Sequence, residues 1–236
     1  MRKNVLTIGA ILAATLLLPG AAAALGLGAN VTYSYRTGTW AGEDVNLGGN
    51  STYEDMDFSS NDLGFGFTLD TAVAKDKLYN YRLNINYQHS WFDVSLPEPP
   101  TALTEIKEFE YDGFEIENIF GFAVMRREDL RWWVGPSIRI SAGRALLRGN
   151  GGSLVQNVPQ LDAGAGLVTG VNLHRGKHLS VGGTFGYHIN WSLLEYQEPI
   201  EIQYTGATHR VSLGLTVLYR FKGDTFRVEE PVARRR

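Results

Sequence analysis

Eight stretches of strict period-two alternation dominate the chain after residue 25, and this pattern restricts it to half-buried strands with two chemically different faces. The first sets Leu27, Ala29, Val31, Tyr33 and Tyr35 against Gly28, Asn30, Thr32, Ser34 and Arg36. The pattern recurs around 63–73, 79–91, 114–124, 132–141, 161–173 and 179–191, and closes with Val211 to Phe221. Everywhere one face is large and apolar and the other is Gly, Ser, Thr, Asn or charge. With no cysteine, disulfide scaffolds, thiolate metal sites and thiol nucleophiles are excluded. A formal charge of −3 supplies no electrostatic footprint for nucleic acid.

Alternation alone does not say whether the apolar face points into a core or out into lipid. Connection lengths decide. Tight polar turns fall at Lys75-Asp76-Lys77, Arg126-Arg127-Glu128-Asp129 and His174-Arg175-Gly176-Lys177, whereas the connections near 41–61, 92–113, 144–159 and 192–208 are long. Short turns on one rim and long loops on the other characterise an outer-membrane barrel, whose apolar band lies between aromatic girdles. The girdles are expected at Tyr79, Tyr81, Trp132, Tyr219 and Phe221 on the short-turn side and at Trp40, Trp91, Phe114, Tyr187 and Trp191 on the long-loop side. The fold class is therefore all-β, an eight-stranded antiparallel up-and-down transmembrane β-barrel.

Eight strands enclose a lumen that side chains can fill. The polar faces place Arg36, Asp70, Arg82, Glu115, Glu117, Arg139, Asp162, His188, Arg210 and Arg220 inside. The near balance of sign predicts a paired network, because unpaired charge in a narrow lumen is costly. Inward glycines are expected to leave room for the arginines opposite. Pro136 lies inside a strand, where a missing ladder donor predicts a bulge.

Residues 1–24 read as a secretory signal: Arg2 and Lys3, an apolar run from Val5 to Leu18, Pro19-Gly20, and four alanines before a cleavage point near Leu25. The barrel is expected over 25–221, followed by a periplasmic tail at 222–236 whose basic end could meet anionic head groups. Together with the closing run SLGLTVLYRF from Ser212 to Phe221, this organisation resembles the small outer-membrane β-barrels, namely the OmpA transmembrane domain and the OmpX-like proteins. The resemblance implies residence in the outer membrane among its lipids and lipopolysaccharide. It also implies assembly by the barrel-insertion machinery, with Ser212, Gly214, Val217, Tyr219 and Phe221 as the insertion signal. The tail is too short for the peptidoglycan-binding domain attached to OmpA, so that role is not carried over.

Charge is sided. The long-loop rim carries a formal −11, including Glu54, Asp55 and Asp57 as a candidate weak cation site, although no EF-hand spacing is present. Catalytic material is sparse: His89 beside Ser90, His188, and His209 beside Thr208. Adjacent strand residues face opposite ways, so His89 and Ser90 cannot pair with one another. No cofactor is called for. The expected role is a non-enzymatic barrel with a filled lumen, contributing to envelope structure or to surface contacts through acidic loops. The alternatives are a narrow porin-like channel or route for small apolar molecules, and a lipid A-modifying enzyme.

Overall fold

A computed structural model describes residues 25–44, 52–71, 78–95, 108–148, 154–196 and 202–221. The expected signal segment 1–24 and tail 222–236 lie outside the described residues. Eight antiparallel strands run in sequence order: β1 (Gly26–Asp44), β2 (Thr52–Asp70), β3 (Tyr79–Ser95), β4 (Glu108–Arg126), β5 (Leu130–Arg148), β6 (Leu154–Arg175), β7 (Leu179–Tyr196) and β8 (Ile202–Arg220). Each pairs with its chain neighbour, and β1 pairs with β8 from Gly26↔Arg220 to Asp44↔Ile202, which closes the barrel.

The outward faces form a continuous apolar band. Leu27, Val31, Tyr33 and Tyr35 on β1, Phe65 and Phe67 on β2, and Leu213, Leu215 and Val217 on β8 are all exposed. The outward apolar stretch of β1 is nine residues long, Leu27 to Tyr35, and a tilted membrane-spanning strand needs about 9–11. This band makes the molecule a membrane-spanning barrel.

The strands are much longer than the band, 17 residues in β3 and 22 in β6. They continue above it through residues expected to be loop, and the expected long connections shrink accordingly. In this upper section the polarity of the wall inverts. Trp40, Met56, Phe58, Phe109, Leu147, Val158, Leu194 and Tyr204 point inward and form one buried apolar cluster, with Phe92 and Val94 packed against it. Asp55, Asp57, Asp93 and Ser95 face out. A wall leaving lipid for water must turn its polar face outward, and the side chains facing away from water then become the apolar ones. Trp40, expected in the upper girdle, is a correction that follows directly: it is fully buried inside the barrel, stacked on Phe58 at 3.9 Å between ring centroids.

Pro136 is a second correction. It pairs with Leu167 on β6, and on the β4 side the ladder lapses between Ile119↔Ser137 and Phe122↔Val134 without changing register. The missing donor thus costs a short break in one ladder and needs no inserted residue. The register shift of that hairpin instead lies between Ala123 and Met125.

Interior glycines mostly accommodate rings and amides rather than the arginines expected. Trp133 is fully buried and lies over Gly170 and Gly121, where an added Cβ would come 2.3 Å and 3.0 Å from its ring. With Ile119 and Val168 it forms a small apolar layer low in the lumen. Truncating Trp133 to Ala is expected to cost about 3–5 kcal/mol. In that background Gly170→Val should be far less damaging than in the natural chain, checked by guanidinium unfolding of the folded barrel followed by fluorescence.

Candidate functional site: the filled lumen

From the short-turn rim up to the aromatic cluster, inward positions recur on all eight strands, so polar side chains from opposite walls meet on the axis. The lumen residues expected from the sequence all face inward, in three tiers.

In the lowest tier, Arg82 donates through Nε and Nη2 to one oxygen of Asp70, at 3.1 and 3.0 Å, and through Nη2 to the Asn172 amide oxygen at 3.0 Å. Its guanidinium lies 5.0 Å from the Trp133 ring, which joins the ionic tier to the apolar one. Arg220 donates to the Gly176 carbonyl at the turn, 2.6 Å away.

In the middle tier, Glu115 accepts from Arg139 on the neighbouring strand and from Arg210 across the lumen, the latter at 2.9 Å. Glu117 accepts from Asn84 at 2.9 Å and lies 3.1 Å from His188 Nε2.

The upper tier is built around Arg36, which reaches Asp162 on β6 at 3.1 Å and Asp62 on β2 at 3.6 Å. Arg210 Nε approaches Asp62 at 3.6 Å and so connects this tier to the one below. Serines complete it: Ser34 and Ser60 donate to Asp62, and Ser141 donates to Asp162. Arg36 also lies 5.0 Å from the Phe92 ring, beneath the aromatic cluster.

Three inward groups escaped the sequence reading. Asp62, next to the expected 41–61 connection, sits fully buried where Arg36 and Arg210 converge. Carrying the phase of Gly64 and Gly66 back two more positions would have found it. Arg131, and His174 from the expected turn at 174–177, are also buried and inward-facing.

Of the girdle residues, Tyr79, Trp132, Tyr219 and Phe221 are exposed near the short-turn rim, and Trp91, Phe114, Tyr187 and Trp191 near the other. Tyr81 is partly covered and donates to Asn118 at 2.5 Å. In the closing run, Ser212 and Gly214 face the lumen and Val217, Tyr219 and Phe221 face out.

The catalytic candidates do not assemble. Asp55 and Asp57 are exposed and Asp57 accepts from Thr39 at 2.6 Å, while the Glu54 side chain lies outside the described residues. Among the described residues there is no group of three or more metal-binding side chains. His89 bonds outward to Asp112 at 2.7 Å while Ser90 faces the lumen. His209 bonds to Tyr187 on the outer wall, and Thr208 is buried inside. The lumen does join Ser137, His188 and Glu117, but Ser137 and Glu117 both approach the same ring nitrogen, Nε2. A nucleophile–base–acid relay needs them on opposite nitrogens and open to substrate; His188 is fully buried.

No protein-family model and no curated protein matches the chain. Solved structures do. The outer membrane protein OprG from Pseudomonas aeruginosa superposes with a TM-score of 0.55 at 8% identity, covering 83% of this chain and 96% of that one. Neisserial surface protein A aligns at 15% identity over 80% of this chain and 98% of its own, with a TM-score of 0.35. The chain has the fold of an outer-membrane β-barrel.

Removing one partner of a buried ion pair leaves the other charge uncompensated, at about 3–5 kcal/mol, whereas removing both is far cheaper. Arg82→Met is therefore expected to lower unfolding stability by that amount. The double variant Arg82→Met/Asp70→Leu should lose clearly less than the two single losses added together, as measured by urea unfolding in phospholipid vesicles.

Proposed function

We propose that this protein is a non-conducting, non-enzymatic barrel of the outer membrane that serves envelope structure and presents its acidic outer end to the surroundings. One observation carries the reading: among the described residues, the middle of the paired lumen encloses a void of only about 20 Å3, bordered by Asn30, Glu115, Glu117, Arg139 and Arg210. That is room for about one water molecule. A hydrated ion moving along the axis would have to separate Arg36, Arg139 and Arg210 from their carboxylates and then part the aromatic cluster above them. Both steps expose buried charge or open a packed core.

Outside the band, Asp55, Asp57 and Asp93 lie on the outer surface of the long-connection end, which gives the wall of β2 and β3 an acidic character suited to cationic partners. An enzymatic reading finds no support in the lumen, where the Ser137–His188–Glu117 grouping is sealed and wrongly disposed for proton relay.

Planar-bilayer recording checks the proposal. Purified folded protein is expected to give no stable unitary conductance, and regular single-channel steps would defeat it.

A further inference from the structure

The outer wall, which should be convex, is dented. A groove of about 610 Å3 opens on the lipid-facing side across β5 to β8 and β1, with an almost wholly apolar lining. Its floor is one lateral row of the sheet, in which Trp132 pairs with Val171, Val171 with Gly183, Gly183 with Leu215 and Leu215 with Val31. Every other outward position in this row carries a large side chain, and the dent is the missing side chain of Gly183.

Nothing inside the protein requires glycine there. A Cβ at Gly183 would meet no atom within 4 Å, and among the described glycines only Gly176, in the β6–β7 turn, has a positive φ. Glycine in a strand interior weakens the strand, and it often marks a place where a ligand approaches closely. Here the space opens outward.

The groove offers almost no polar surface. Trp132 Nε1 donates to Thr169 Oγ1 at 2.8 Å, and Thr169 donates to the Trp133 carbonyl at 2.9 Å, so the hydrogen-bonding groups at its edge are spent on each other. Nor does it lead inward. Behind Gly170 stands the Trp133 ring, and Gly214 is backed by Thr184.

From this geometry we infer that the groove is a binding site for one hydrocarbon chain of a bilayer lipid. The groove is continuous with the band that faces lipid, and the inference rests on that reading of the band. A flexible methylene chain can follow an open apolar dent of this size, which a convex barrel wall of a second copy would leave empty. Gly183 acts as the specificity-determining position: a larger residue there takes up the floor of the groove.

The test compares the natural protein with Gly183→Phe and Gly183→Val, each refolded in phosphatidylethanolamine vesicles, extracted in mild detergent and examined by native mass spectrometry. Extended backbone and open space at position 183 predict that both variants fold, which the boiling-dependent gel shift verifies. The natural protein is expected to retain one phosphatidylethanolamine after free detergent is stripped. Both variants should lose it, with occupancy falling about tenfold, the affinity contributed by roughly two buried methylenes. Equal retention by all three proteins, or no retained lipid in any of them, overturns the inference, as does a dimer that disappears in the variants. Failure of the natural protein to insert into the vesicles would instead count against the reading of the band itself.

Discussion

Backbone closure is the constraint on which everything else depends. In hydrocarbon an unpaired N–H or C=O has no water to turn to, so a sheet survives there only when its last strand returns to its first. The β1–β8 ladder does this over nearly the full height of both strands. Closing eight strands sets a lumen too narrow for bulk water, and the inward side chains must then satisfy one another. Arginines paired with carboxylates from neighbouring and opposite strands, serines donating to the same carboxylates and a tryptophan laid over two glycines occupy it in this chain.

Two polarity regimes share one wall. Within the band the outside is apolar and the inside polar; above it the relation reverses, and the Trp40 cluster is an ordinary water-excluding core enclosed by strands instead of by two layers. Arg36, beneath Phe92 and between Asp62 and Asp162, stands at the junction. The upper cluster therefore caps the ionic tiers.

Much of this was legible in the sequence, because period two needs no knowledge of partners. The strand count, the outward band and the inward direction of Arg36, Arg82, Glu115, Arg139, Asp162 and Arg210 follow from phase alone. What phase cannot supply is register. That Arg210 on β8 meets Glu115 on β4 depends on the stagger of every ladder between them, and that Ser137 meets His188 depends on strands distant in sequence. The upper barrel was hidden for another reason. Once the wall leaves lipid, the apolar residues move to the other face, so Met56 and Phe58 among Asp and Ser look like loop and Trp40 looks like part of the outer girdle. Pro136 needs no bulge because a strand that forgoes a donor can lapse on one side without inserting a residue, and Gly183, outward by phase, shows its groove only once its lateral neighbours are placed.

Because the chain has no cysteine, single-cysteine variants probe the lumen directly. Ser137→Cys places a thiol in the middle tier beside His188, and Ser95→Cys places one on the exposed upper wall. With small charged methanethiosulfonate reagents of either sign, folded Ser95→Cys should react to completion while Ser137→Cys stays unmodified until guanidinium unfolds the barrel. Labelling of folded Ser137→Cys at a rate comparable to Ser95→Cys would mean that water and ions reach the centre of the lumen, and would contradict the filled barrel described above.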